Sequence, residues 1–240
     1  DRGRQRASEK GVEMPDFDAF WENGRFDLDA PTSAQIFLAG FRGDPEGQPL
    51  KTPTGKIEIF SETIDGFGYD DCPGHPVWME PAEWLGASTA KRFPLHMISS
   101  QPAHRLHSQY DNGSVSRSTK VAGREAVWLN PRDAAVRGIA EGDVVRLFND
   151  RGTCLAGARL TEDVMAGVIR LATGAWYDPD TPGEPVTLCR HGNPNVLTRD
   201  FGTSKLAQGP SAQTCLVEIE PWQGAVPEVR SFEPPEIVVR

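Results

Sequence analysis

The chain has 240 residues, 25% of them charged and 38% hydrophobic, with a net charge of −9 at neutral pH. That length can bury a real core, as one large domain or two small ones. No apolar run reaches the roughly 18–20 residues that span a bilayer, and the acidic balance excludes extended nucleic acid as a partner. The 24 glycines and 20 prolines predict many turns and short elements, which favours strands and loops over a helical bundle.

Residues 1–50 read as loosely organised. Within MPDFDAFWENGRFDL, Phe17, Phe20 and Trp21 fall at the i, i+3, i+4 spacing of one helix face and predict a short helix. The stretch that follows is rich in turn residues until KIEIF, where Ile57 and Ile59 alternate with polar neighbours and predict a strand. GFGYDDCPGHPVWMEPAEWLG reads as an ordered loop, with Trp78 and Trp84 plugging a surface.

From residue 92 the pattern tightens. FPLHMISS predicts a buried strand. Asn130 caps a short helix with Pro131 at its first position and Asp133 near its positive end, and Gly138 stops it. A turn at Glu141–Asp143 leads into a strand at Val144–Phe148, and Asn149–Gly152 makes a hairpin turn to a return strand at Thr153–Leu160. GVIRLATG (167–174) and QTCLVEIE (213–220) predict two further strands, and the last twenty residues read as a tail. This is the pattern of a mostly-β fold, a barrel of about six strands with short helices.

Charge is unevenly placed. Residues 1–90 hold 8 Lys and Arg against 17 Asp and Glu, whereas residues 91–137 hold 8 against 3. Such a basic island attracts a phosphorylated ligand, although a solvated surface patch would look the same. Cys72, Cys154, Cys189 and Cys215 lie far apart with no CxxC pair, so they read as reduced and mostly structural.

Polar groups crowd two loops. SSQPAHRLHSQYDNG (99–113) packs two histidines, an arginine, two glutamines and three serines together. His96, His104 and His107 lie within twelve positions, but Arg105 sits between the last two and Asp111 alone supplies a nearby carboxylate, so no metal site is expected. GxSxG, GxGxxG and GxxxxGK[ST] are all absent, which disfavours a hydrolase elbow and the common phosphate loops. What remains is a surface for a polar, phosphate-bearing ring ligand, or polar loops bonded to their own backbone. HGNPNVLTRDFGTSKLAQGP (191–210) has the same vocabulary.

SSQPAHRLHSQ, WLNPRDAAVRGIAEGDVVRLFNDRG and HGNPNVLTRDFGTSKLAQGPSA, in that order, resemble the C-terminal part of molybdenum oxidoreductases of the dimethyl sulfoxide reductase family. The resemblance covers about residues 50–220, and within the family it leans to the biotin sulfoxide reductase branch, with trimethylamine N-oxide reductases as neighbours. It implies a six-stranded double-psi β-barrel, the molybdopterin dinucleotide-binding domain, over residues 92–220. Residues 1–91 would be the incomplete tail of a preceding domain and 221–240 a C-terminal tail. It also implies molybdenum held by bis(molybdopterin guanine dinucleotide) in a longer enzyme that reduces S-oxides or N-oxides. The 240-residue chain would then be a fragment or a split-gene product, inactive alone and with its cofactor place empty. Its partners would be the cofactor, a small oxide substrate and the enzyme's remaining domains, with neither nucleic acid nor membrane. The branch implies a cytoplasmic location, or a periplasmic one if the chain sits with the exported N-oxide reductases.

Carried over by position, the implied cofactor contacts are Ser99, Ser100, Gln101, His104, His107, Ser108 and Gln109, with Arg105 meeting a phosphate or supporting the loop. His191, Asn193, Asn195 and Gln208 follow from the last motif. No catalytic or metal-ligating residue is implied in this stretch. Trp176 and Tyr177 fit a packed lid better than a lining of the path to the metal. The alternatives are a stand-alone nucleotide- or pterin-binding module and an interaction domain.

Overall fold

The computed structural model describes residues 2–28, 34–211, 213–234 and 237. They form two compact units, Asp1–Ile59 and Phe60–Arg240. The first carries short helices at Arg2–Ser8, Phe17–Asn23 and Ala39–Gly43. The helix expected at Phe17 forms because Asp16 accepts a hydrogen bond from Ala19 N at 2.9 Å and Gly24 closes the other end at φ 72°. Its aromatic face is not covered: Phe17 stacks on Trp21 with centroids 5.7 Å apart, and both stay largely exposed. None of the described residues of 2–59 is buried.

The strand expected at Ile57 and Ile59 does not form. Alternation alone makes no strand without a neighbouring edge to pair with. Here the chain closes on itself instead, Thr52 Oγ1 donating to Lys56 O at 2.6 Å and Thr54 N to Glu58 Oε1 at 2.9 Å, and both isoleucines face solvent.

The second unit is built on six strands: β1 Leu95–Ile98, β2 Ala126–Leu129, β3 Val144–Phe148, β4 Thr153–Leu160, β5 Val168–Leu171 and β6 Thr214–Pro221. They close into a barrel in the order β1-β5-β2-β4-β3-β6. β1 runs parallel to β5 and β2 to β4, while the other four pairings are antiparallel. The two parallel pairs with their crossing connections are the double-psi arrangement. Inward side chains fill the barrel, among them Leu95, Met97, Val127, Leu129, Val145, Leu147, Ile169, Leu171, Val217 and Ile219.

β4 is buried on both faces from Cys154 to Ala158 because the Val121–Arg124 turn lies over Gly157 and the 189–192 segment over Cys154 and Leu155. A Cβ on Gly157 would run into Val121, so only glycine fits this close approach. Cys154, Cys189 and Cys215 are free thiols in this dry interior, and burial pushes Cys215 up to about 12.

Local chemistry sets the corners. Asn130 Oδ1 accepts from Arg132 N at 3.0 Å and its Nδ2 donates to Val164 O at 2.8 Å, so one side chain both caps the Pro131–Ala135 helix and ties it to the next loop. The β3–β4 hairpin turns through Asn149, whose Oδ1 accepts from Arg151 N while its Nδ2 donates to Leu197 O and Leu216 O. Glu83 meets Arg151 through two hydrogen bonds of 2.7 and 2.9 Å and accepts from Leu216 N at 2.8 Å, fastening the 60–91 segment to the barrel. Trp84 is partly covered, whereas Trp78 plugs nothing among the described residues and is 84% exposed. No helix among the described residues is long and apolar enough to cross a membrane.

Candidate cofactor-binding site

The 99–113 loop leaves β1 at one barrel rim. Ser99 N donates to Gln213 O at 2.8 Å, Thr173 N to Ser100 O at 3.0 Å, and Arg170 Nε to Ser100 Oγ at 2.6 Å. The loop then turns tightly, with His107 at φ 49° and Tyr110 at φ 58° in the left-handed region. It passes so close to the β5 exit that a Cβ on Gly174 would collide with His107 O. Gly174 itself has φ 93°, so both space and backbone require glycine there.

Arg105 holds this loop from inside. Its guanidinium is fully buried and offers five N–H donors. They go to His107 O (3.2 Å), Ser116 Oγ (3.1 Å), His104 Nε2 (2.9 Å), Glu125 Oε2 (3.0 Å) and Thr173 O (2.8 Å). All five are committed within the protein, so Arg105 takes the supporting place and has no donor left for a phosphate.

Asp111 is the second hub. Its Oδ1 accepts from Lys120 Nζ at 2.8 Å and Ser116 Oγ at 3.0 Å, and its Oδ2 from Trp176 N at 2.9 Å. Lys120 also reaches Glu125 Oε2 at 3.1 Å. Two cations and two carboxylates thus neutralise each other in a dry cluster, the condition under which buried charges are tolerated. Burial pushes the Asp111 carboxyl up, but the bonds from Lys120 and the Trp176 amide, with the charge of Lys120, outweigh it and hold the group below its ordinary value.

The cluster takes up part of the basic island. Arg105 and Lys120 are consumed by Asp111 and Glu125, Arg92 pairs with Asp150, and Arg137 pairs with Glu218. Lys91, Arg117 and Arg132 of the same stretch stay exposed, so the surplus is consumed in part.

Two histidines lie in or against the cluster. His104 Nε2 accepts from Arg105, and burial followed by the Arg105 charge lowers its pKa, so it stays neutral. His191 is completely buried and donates from Nδ1 to Trp176 O at 2.9 Å. Burial and the nearby Lys120 lower its pKa as well, against smaller opposite pulls from the Trp176 carbonyl, Asp111 and Glu125. Among the described residues its Nε2 has no partner.

Above this base lies a cleft of about 420 Å³. His107, Ser108, Asn193 and Asn195 line it together with the 173–177 segment, so two loops some 85 residues apart in the chain meet at one rim. Trp176 Nε1 donates to Ser108 O at 2.8 Å across the junction, and Asn193 Oδ1 accepts from Asn195 N at 2.9 Å. The remaining residues singled out in the sequence lie elsewhere. Ser99 and Ser100 anchor the loop base, His104, Arg105 and His191 belong to the buried layer, and Gln101 and Gln109 are exposed outside this lining. Gln208 lies in the 201–211 loop, where its Nε2 donates to Ser204 O at 2.9 Å. Ser116, Lys120, Glu125 and Gly174 support the site without having been singled out. Among the described residues no group of three His, Cys, Asp or Glu is placed to hold a metal.

Residues 95–216, the whole barrel but for the end of β6, match the model of a family described as the molydopterin dinucleotide binding domain. The chain belongs to that family. Over 97% of its length this molydopterin dinucleotide binding domain chain is 49% identical to the dimethyl sulfoxide/trimethylamine N-oxide reductase of Cereibacter sphaeroides, of which it covers 28%. Over 95% of its length it is 50% identical to trimethylamine-N-oxide reductase 1 of Escherichia coli strain K12, covering 27%. The chain therefore spans little more than a quarter of the length of the curated relatives it matches. Acetylene hydratase from Pelobacter acetylenicus shares the fold, with a TM-score of 0.60 at 20% identity over 75% of this chain and 25% of that one.

Proposed function

We propose that this chain supplies the dinucleotide-binding barrel of a molybdenum oxidoreductase that reduces S-oxides or N-oxides, with the pterin cofactor seated against the His107–Ser108/Asn193–Asn195 cleft. The observation that carries this is the meeting of two distant polar loops in one cleft over a neutralised, rigid base. The donor set suits the ligand: amide, hydroxyl and imidazole groups can match the alternating donors and acceptors of a pterin edge. No free carboxylate lines the cleft, so an anionic phosphate is not repelled there.

When bound, molybdenum held by such a cofactor would supply the two-electron redox chemistry that reduction of an oxide needs. The residues of this chain bind and orient. Asn193 fixes the short turn that presents Asn195, and the Ser108 carbonyl, held by Trp176, sets the height of the opposite wall. The same proposal assigns residues 1–91 to a preceding domain, in keeping with the lack of any buried residue among those described in 2–59. For the substrate, the relatives' names support dimethyl sulfoxide or trimethylamine N-oxide, and biotin sulfoxide stands beside them on the motif resemblance alone.

The test is the full-length gene product purified from cells able to make the cofactor. Pterin and molybdenum should co-purify, and Asn195→Ala should lower pterin content. Full occupancy in that variant and in His107→Ala would remove the site assignment. Reduction rates with the three oxides would rank the substrates.

A further inference from the structure

The segment Pro227–Phe232 crosses the back of the site and is held at three points. Arg124, itself buried, donates to Pro227 O. Asp178 Oδ2 accepts from Arg230 N at 2.7 Å and Ser231 N at 3.2 Å. Phe232 then turns its ring into the molecule, edge-on to His191 with centroids 4.9 Å apart and to Trp176 at 5.6 Å, while Arg117 and Lys120 lie 5.5 and 5.7 Å from its centroid.

We propose that this segment is a strap whose Phe232 acts as a positioning residue: it seals the His191 pocket and thereby fixes the Trp176 side of the cofactor cleft. A carbonyl can only accept, so the 2.9 Å contact of His191 Nδ1 with Trp176 O is an N–H donation and leaves a lone pair on Nε2. That nitrogen is buried and has no partner among the described residues. Phe232 covers the ring, so water is kept from Nε2 and the imidazole keeps the tautomer that grips Trp176. The groups facing it are Asp111, Lys120 and Glu125, and the two carboxylates are already engaged by Lys120 and Arg105. From Trp176 the chain of contacts runs through its backbone N–H to Asp111 and through its indole N–H to Ser108 O on the cleft wall. Phe232 is therefore tied to the cleft through His191 and Trp176 without lining it.

The strap rests on the cofactor assignment only for its effect on ligand retention, and two readouts separate them. In the full-length gene product, Phe232→Ala should speed amide exchange about tenfold in peptides covering 104–111 and 173–178, leaving peptides of β3 and β4 unchanged. Phe232→Leu, which refills most of the contact, should restore slow exchange. In the cofactor-loaded protein, pterin loss on dilution should accelerate with Phe232→Ala and be rescued by Phe232→Leu. Unchanged exchange at both peptides in Phe232→Ala overturns the strap whatever the cofactor content. Wild-type protein carrying no pterin would instead overturn the proposed function, with the exchange comparison still deciding the strap. If Phe232→Ala does not fold, Asp178→Asn, which loosens the anchors at Arg230 and Ser231, is judged by the same exchange criterion.

Discussion

Arg105 shows how one side chain can organise a loop that has no regular structure. Replacing it by alanine leaves Asp111 and Glu125 buried with Lys120 as their sole remaining cation, and loss of one partner from such a cluster costs about 3–5 kcal/mol. Chemical denaturation should show that loss, and Arg105→Lys should recover little of it, because an ammonium has three donors where five acceptors wait. The histidine beneath the cleft gives a second expectation. His191 has its folded pKa depressed, so below its ordinary value of 6.5 the unfolded chain binds the extra proton first. Its contribution is therefore complete above that pH and is lost as the medium is acidified through it. Asp111, also held low, adds a further loss below 3.8. Stability measured between roughly pH 7 and 5 should fall with acid, and His191→Gln should flatten that slope.

Short elements carry most of their information in their ends. Asn130-Pro131, Gly138 and the Asn149–Gly152 turn could be read directly, because a cap or a tight turn needs particular side chains at particular offsets. Five of the six strands could be read too, since each alternates or runs apolar between such signals; β2, four residues long between Glu125 and the Asn130 cap, was not read as a strand. The order of the strands could not, because parallel pairs such as β2·β4 leave no local trace. The site was legible only in part. The polar loops announced themselves by composition, and His107, Ser108, Asn193 and Asn195 do share a cleft. Their neighbours His104, Arg105 and His191 face inward instead, and nothing in the residue list separates a histidine that binds a ligand from one that holds a backbone carbonyl. Lys120 and Glu125 counted only as charge, since their partners lie across the fold. The strand at Ile57 misled because alternation says nothing about the presence of a partner. Gly174 is where element and site meet: Gly174→Ala should cost about 2–4 kcal/mol and widen the cleft, measurable as a lower melting temperature.

At the scale of the molecule, the barrel's core is aliphatic and sealed, while its polar chemistry gathers at one rim. That division lets the loops vary without touching the strands. It also predicts that Asn195→Ala, at an exposed position on the 3-10 turn, changes stability by less than about 0.5 kcal/mol, whatever it does to pterin content. The closing seam has a temporal consequence. β6, the last of the six barrel strands in chain order, pairs with both β1 and β3, so two edges stay open until residues near 221 have been synthesised. A chain stopped short of β6 would expose both ribbons of unpaired amides and carbonyls to whatever strand came near. The ribosome cannot deliver this protein in instalments: the barrel is either entire or adhesive.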